Sequence, residues 1–296
     1  MTVKIITYRP IIAHGPTLTV LGAVHGNERC GAIAINRLVA DIDAGKISLK
    51  RGTLQLVPIT NPKAYEQNVR FVERNLNRYL HPKEDKQHYE DHLDPILCEV
   101  LDRTDVLLDL HSYTSKGGPF IFLGADSKKE LAFATSLGVQ DFAFGWAEAF
   151  GKEGDDSKES QGTTEYARTK GALAVTLECG HHFNADAPDI GYRAILRAMA
   201  HLGMVDAESL TALEQEKYSG KQRVVKMKSV YRRDEGAVMA KPWKHFDPVA
   251  KGEAMATLAN GDLIAAPDDG FIVLPKDSAS TGEEWFFFGT KTTLPA

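Results

Sequence analysis

Short apolar runs alternate with stretches of helical period over roughly the first 210 residues of the chain. Runs bounded by Gly, Pro or polar clusters predict strands at Thr17–Leu21, Thr53–Ile59, Val106–Leu110, Phe120–Leu123 and Ala172–Leu177. Apolar residues at three- and four-residue spacing predict helices over Glu28–Ala44, Tyr89–Arg103, Lys128–Leu137 and Tyr192–Leu202. In the last of these Ile195, Leu196, Met199 and Leu202 fall on one face, the pattern of a helix packed on a sheet. Strands alternating with helices describe an α/β fold with a mixed, mostly parallel central sheet and flanking helices.

Two stretches break the rhythm. Asn61–Asp91 is polar and without a strong period, so it reads as a long irregular excursion over the surface. Trp146–Glu165, rich in Gly, Asp and Ser, reads as a mobile loop near an active site or as a solvated linker. After about residue 220 the texture changes to short runs cut by Gly, Pro and Asp: Val224–Val230, Gly236–Met239, Ala254–Leu258 and Gly270–Leu274. Asn260-Gly261 between apolar runs is a strong hairpin signal within Ala254–Asp269. The expected organisation is a catalytic domain over residues 1–215 and a small β-rich domain over 220–296, whose capping of the active site would exclude peptides.

Composition narrows the classes. With 296 residues, 43% of them hydrophobic, the chain can bury a large core and is not a disordered one. A net charge of −5 without a basic run argues against nucleic acid as a partner. No apolar stretch approaches a bilayer span, and the amino terminus lacks a signal-peptide core, so a cytoplasmic protein without a membrane partner is expected. Cys30, Cys98 and Cys179 are odd in number and far apart, which points to reduced thiols rather than a disulfide framework.

Candidate chemistry lies at the ends of the predicted strands. His25 and Glu28, in Leu21-Gly22-Ala23-Val24-His25-Gly26-Asn27-Glu28, are three residues apart after an apolar run, a spacing that suits metal ligation. A helix cap at Asn27 followed by a first-turn Glu28 is the competing reading of the same residues. His111 closes a second apolar run, and parallel α/β sheets collect ligands at the carboxyl ends of their strands, so both imidazoles belong on one rim. Two His and one Glu with an open fourth position describe a catalytic zinc site. Asp109 points the same way as His111 and is either an acceptor for its ring N–H or a plain strand-end carboxylate. Glu178 ends a third run at the same rim, where a carboxylate beside a metal-activated water would serve as general base. The loop from Asn68 to Arg78 concentrates guanidiniums and amides suited to carboxylates or an oxyanion, or else it is polar surface. His181 and His182 either line the pocket or lie on the surface.

His25-Gly26-Asn27-Glu28, Asn75-Leu76-Asn77-Arg78, Asp109-Leu110-His111 and Leu177-Glu178-Cys179-Gly180, in this order, resemble the succinylglutamate desuccinylase and aspartoacylase family, zinc-dependent relatives of the M14 carboxypeptidases. The resemblance runs from about residue 20 to 180 and implies a zinc-carboxypeptidase-like fold, with a carboxyl-terminal β domain as in the larger members. It implies His25, Glu28 and His111 as ligands of one Zn2+ per chain, and Glu178 as the residue that activates water. It further implies Arg70 as the arginine that polarises the scissile carbonyl, Asn77 and Arg78 as the pair that holds the substrate carboxylate, and Arg168 as a further substrate-binding arginine. Two places depart from the family pattern. Asn75 stands where Asp is common, and Ser280-Thr281-Gly282-Glu283-Glu284-Trp285 occupies the region of the aspartoacylase tyrosine, so the acyl group and amino acid are not carried over.

The expected function is zinc-dependent hydrolysis of the amide bond of a small N-acylated amino acid. A metallocarboxypeptidase acting on short peptides and a non-catalytic metal-binding relative are the alternatives. A homo-oligomer is left open.

Overall fold

Most of the apolar runs become strands of an eleven-stranded sheet. The computed structural model describes residues 2–10, 14–124, 128–150, 161–206, 210 and 222–293. Its strands are β1 (Ile6–Tyr8), β2 (Thr17–Gly22), β3 (Thr53–Val57), β4 (Val106–Tyr113), β5 (Phe120–Phe122), β6 (Asp141–Phe144), β7 (Leu173–His181), β8 (Arg223–Arg232), β9 (Val238–Met239), β10 (Asp247–Val249), β11 (Ala254–Thr257), β12 (Leu263–Ala265), β13 (Gly270–Val273) and β14 (Glu284–Thr292). Its helices are α1 (Cys30–Asp43), α2 (Pro62–Gln67), α3 (Asp94–Leu101), α4 (Lys128–Ser136), α5 (Trp146–Phe150), α6 (Thr163–Thr169) and α7 (Ala187–His201).

The sheet runs β1-β3-β2-β4-β7-β5-β6-β8-β14-β13-β10. Its centre, β3-β2-β4-β7, is parallel, with Leu21 opposite Asp109 and His111 opposite Glu178. A parallel strand buried on both faces must be apolar nearly throughout, and every residue of β4 is buried. Alternation along these strands feeds two cores. Leu108, Leu110, Val175 and Leu177 pack toward α1 and α7, while Leu107 and Ala174 pack with Leu97, Leu101 and Tyr166 of α3 and α6. The mixed α/β architecture with flanking helices and additional C-terminal strands is therefore as expected.

The sheet does not stop at the end of the parallel core. β6 pairs in parallel with β8, and β8, β14, β13 and β10 continue the same sheet in antiparallel fashion. Among the described residues, β12-β11-β9 alone form a separate small sheet. The expected hairpin is β11–β12, where Gly261 takes φ +90° and the Asn260 side chain accepts the Asp262 N–H at 3.0 Å.

Several boundaries differ from expectation. The helix expected from Glu28 begins at Cys30, because the Glu28 N–H bonds the His25 carbonyl at 3.1 Å and forms a turn first. The single helix expected over Tyr89–Arg103 divides into a 3-10 turn, Tyr89–His92, and α3, which carries Pro95 in its first turn, where a missing N–H is tolerated. The supposedly irregular stretch after Asn61 contains α2: the Asn61 side chain accepts the Ala64 N–H at 3.3 Å and Pro62 opens the helix. That cap was legible in the residues and was outweighed by the polar composition around it. Of the expected loop over Trp146–Glu165, both ends are helical, and the remainder of that expectation, over residues 151–160, lies outside the described residues. Among the described residues, no helix is long and apolar enough to cross a membrane.

Candidate metal centre and the cleft around it

At the carboxyl end of β2 the chain must turn sharply while another segment crosses it. Ala23 adopts φ +48°, a left-handed conformation disfavoured for a residue with a Cβ. At Gly26 a Cβ would lie 2.1 Å from the Ala64 backbone carbon, so only glycine lets α2 pass this close. The Gly26 N–H bonds the Arg70 carbonyl at 3.1 Å, which ties the arginine loop to the turn that carries His25 and Glu28.

His25, Glu28 and His111 come together as the sequence implied. All three are buried, and one donor atom from each lies within 4.8 Å of the others. His25 Nδ1 is 2.8 Å from Glu28 Oε1, and His111 Nδ1 is 2.8 Å from Glu28 Oε2. The His25 contact lacks hydrogen-bond alignment and leaves Nδ1 a buried atom without a hydrogen-bond partner, as expected of donor atoms aimed at a common point. The opposite ring nitrogens face supporting groups: His25 Nε2 is 3.0 Å from Asn75 Oδ1, and His111 Nε2 is 2.9 Å from Asp109 Oδ2. Asp109 is held in turn by the Thr163 hydroxyl at the start of α6. Two imidazoles, one carboxylate and oriented outer nitrogens fit a divalent cation of the zinc type.

Electrostatics agree with that use. Burial, and then the Arg70 charge, lower the His25 imidazole to about 4, so it is neutral and able to donate a lone pair. Burial opposes ionisation of Glu28, but His25 and His111 outweigh it and hold the carboxyl well below its usual range. For His111 burial acts downward, yet Asp109 and Glu28 outweigh it and raise the imidazole well above its usual value; a bound cation displaces such a proton.

Glu178 stands beside this cluster on β7, and its Oε2 is buried without a hydrogen-bond partner. Burial, followed by the charge of Glu28, pushes its carboxyl up to about 8. A cation works in the opposite direction by direct attraction.

The three arginines of the loop separate into three roles. Arg70 Nη1 donates to Glu28 Oε1 at 2.8 Å and keeps further N–H donors for a ligand. Arg74 points inward, donating to Asp91 at 2.8 Å, to Asp94 at 2.8 Å and to the carbonyls of Asn75 and Arg78, so it is architectural. Arg78 is buried, donates from Nη1 to the Asn77 carbonyl at 2.8 Å and from Nη2 to Glu284 Oε1 at 2.9 Å, and sits over the Trp146 ring at 4.9 Å. Asn77 Oδ1 accepts the Thr163 N–H at 2.8 Å, leaving its amide nitrogen for a ligand. Arg168 also reaches the cleft wall, but its guanidinium is held by Glu130 at 3.1 Å, by Glu165 at 3.2 Å and by the Ala174 carbonyl.

Sequence reasoning missed the residue that shapes this loop. Glu90 is fully buried, and its carboxylate accepts the N–H groups of Val72 at 2.7 Å, Glu73 at 3.2 Å and Arg74 at 3.0 Å, besides the Asn61 amide at 3.1 Å. Nothing in a polar stretch marks one acid as the internal acceptor for a loop sixteen residues earlier. Glu284 and Trp146 fall in stretches named above, but neither stands out as a cleft residue, because their contacts with Arg78 join segments far apart in the chain. Asn75 lies on the His25 imidazole, so its departure from Asp changes the surroundings of the cation. His182 Nδ1 is 2.8 Å from the Ser112 hydroxyl at the mouth, whereas His181 Nδ1 accepts the Phe183 N–H at 3.2 Å. Cys30, Cys98 and Cys179 are free and buried, and contact with Cys30 plus burial raises the Cys179 thiol well above its usual range, which makes it a poor nucleophile.

Two cavities, of about 100 and 520 Å³, border the cleft, and both are lined by Arg70, Arg78, Glu178 and Glu284. Leu274 and Glu284, from the C-terminal part of the chain, form one wall.

Comparison with known proteins follows the same residues. The model of the succinylglutamate desuccinylase/aspartoacylase catalytic domain matches residues 14–202. The chain is similar to a probable aspartoacylase of Nostoc sp., with 30% identity over 116 residues, covering 36% of this chain and 38% of that protein. It is also similar to a succinylglutamate desuccinylase of Shewanella denitrificans, with 34% identity over 91 residues, 30% of this chain and 26% of that protein. The matched segments thus span well under half the length of these two relatives. The crystal structure of a succinylglutamate desuccinylase/aspartoacylase from Rhodobacter sphaeroides superposes with a TM-score of 0.74 at 19% identity, covering 98% of this chain and 89% of that one, which establishes a common fold.

Proposed function

The chain belongs to the succinylglutamate desuccinylase/aspartoacylase family, and from that premise we propose that it is a metal-dependent amidohydrolase that removes the acyl group from a small N-acylated amino acid. The observation that carries the reading is the unpartnered, buried Glu178 carboxylate beside the convergent donors of His25, Glu28 and His111. We further propose zinc as the metal, one per chain.

A divalent cation held by those three residues supplies Lewis acidity that lowers the pKa of water and polarises a carbonyl. Glu178 takes the proton from the attacking water and later delivers it to the departing nitrogen. Burial raises this carboxyl and a neighbouring cation would lower it again, and the balance of the two suits a group that must both accept and return a proton. Arg70 donates hydrogen bonds to the oxygen on which negative charge develops. Asn77, through its amide nitrogen, and Arg78 orient the substrate carboxylate. Asp109, held by Thr163, and Asn75 keep the two imidazoles turned toward the cation.

The wall contributed by β14 supports a compact acyl amino acid over a peptide that needs an open groove. Zinc-loaded protein assayed against acetyl, succinyl and formyl amino acids and against short peptides, with product amines detected, tests the reading. Release of amine from the acyl amino acids is expected. Cleavage of peptides alone would favour a carboxypeptidase, and zinc binding without hydrolysis a non-catalytic relative.

A further inference from the structure

The two cavities at the cleft share Arg70, Arg78, Glu178, Leu274 and Glu284 as walls, so they abut where the proposed base and the arginine of the scissile carbonyl stand. Away from that boundary they differ. Asn77 lines only the smaller one, of about 100 Å³, so a substrate carboxylate held by Asn77 and Arg78 lies on that side. The larger one, of about 520 Å³, is bordered by the aromatic residues Phe71, Tyr113 and Phe287. Its walls are held by hydrogen bonds of their own. The Tyr113 hydroxyl donates to the Gly118 carbonyl at 2.7 Å, His182 Nδ1 is 2.8 Å from the Ser112 hydroxyl, and Glu90 accepts the three N–H groups that follow Phe71. Phe71 nonetheless stays 37% exposed, an apolar side chain on a fixed backbone with solvent over it.

We propose that the larger cavity is the acyl site, that Phe71 is a specificity-determining residue in it, and that the substrates carry an apolar acyl group longer than acetyl. The inference rests on the deacylase reading, which sets the scissile amide at Glu178 and Arg70, between the two cavities. With the carboxylate anchored on the side of the smaller cavity, the chain beyond the scissile carbonyl extends into the larger one. An acetyl methyl leaves most of that volume, and the Phe71 ring, in contact with water. A longer chain removes both apolar surfaces from it. Hydrolysis adds water across the amide, breaks its C–N bond and yields the longer carboxylate and the free amine.

Zinc-loaded wild type, Phe71→Ala and Phe71→Leu are compared on acetylalanine, butyrylalanine, succinylalanine and acetylnorvaline. Butyrylalanine and acetylnorvaline are isomers that carry the same two added methylenes on opposite halves of the amide, so their ratio reads the cavities and not overall hydrophobicity. Hydrolysis is followed by amine release, and binding by calorimetry. A buried methylene is worth about fourfold in affinity, so butyrylalanine is expected to exceed acetylalanine by about tenfold in both affinity and kcat/KM. It should also exceed acetylnorvaline. In Phe71→Ala the ratio of butyryl to acetyl compound should fall by about threefold or more, whereas Phe71→Leu, which keeps an apolar side chain, retains most of it. Acetylalanine, acetylnorvaline or succinylalanine equal to or better than butyrylalanine with wild type overturns the proposal. A Phe71→Ala variant that weakens every compound by one factor overturns the role given to Phe71, since that is the mark of a merely structural residue. Binding in the expected order without hydrolysis of any of them overturns the deacylase reading and leaves the assignment of the cavity supported; no binding of any compound overturns both.

Discussion

The two walls of the cleft are built in opposite ways. The metal-side wall comes from neighbouring parallel strands, β2, β4 and β7, whose carboxyl ends lie on one rim as a consequence of topology. The opposite wall is assembled from a loop near residue 75, the start of α5 and the edge of β14, segments up to about two hundred residues apart that meet at the Arg78–Glu284 pair. The first wall presents imidazoles and carboxylates whose spacing is set by strand register. The second presents charges paired between segments far apart in the chain, although its loop also touches the rim through Asn75 on His25 and Arg70 on Glu28.

Substitution on the rim should have the largest effect. His111→Ala removes a proposed ligand, and both zinc content and hydrolysis are expected to fall to background by metal analysis and amine release. Retention of stoichiometric zinc would break the assignment of that wall. Next, Glu178→Gln is expected to lower kcat by about 10²–10⁴ with zinc content unchanged, and Arg70→Ala by about 10²–10³. Full activity of Glu178→Gln would remove the base from the mechanism.

Between the walls, Glu90→Gln tests what holds the loop. Replacing a buried carboxylate that accepts three successive N–H groups is expected to reduce stability by about 2–4 kcal/mol in urea unfolding, since each unsatisfied donor costs about 1–3 kcal/mol. An unchanged midpoint would show that the loop is held by Arg74 and its acids alone.

The smallest effect belongs to His245, behind the C-terminal wall. It packs against Phe120, Phe246 and Tyr113 and accepts the Leu274 N–H at 3.1 Å through Nδ1. Burial, with Arg223 adding to it, lowers its imidazole well below the usual 6.5. The fold therefore refuses a proton that the unfolded chain accepts, so this contribution is fully present above about pH 6.5 and is lost as pH falls below it. Between pH 7.5 and 5.5, His245→Gln should lose less stability than wild type. Identical pH slopes for the two proteins would exclude His245 as a source of acid sensitivity.

The metal wall was legible because its signals are local. An apolar run followed by His25, by His111 or by Glu178 announces a strand end, and parallel pairing brings such ends together. Even there the sequence misplaced the start of α1 and read Glu28 as helical, since a single turn bonded to the His25 carbonyl leaves no periodic trace. The other wall was not legible. Arg78 stands out in the sequence, but its partner Glu284 begins an aromatic strand, β14, whose start is marked there only as the region in which aspartoacylase carries a tyrosine. Arg168 was likewise singled out for a ligand, while the structure surrounds it with Glu130 and Glu165.

By itself, then, the sequence determined the α/β class, the strand-end donors and the family pattern, because strand alternation, helical spacing and short ligand motifs act over a few residues. Tertiary structure alone decided which arginine meets which acid, that Glu90 organises the loop, and that the C-terminal strands extend the central sheet to wall the cleft. Those outcomes depend on burial and charge pairing between segments far apart in the chain, where no local periodicity exists to record them.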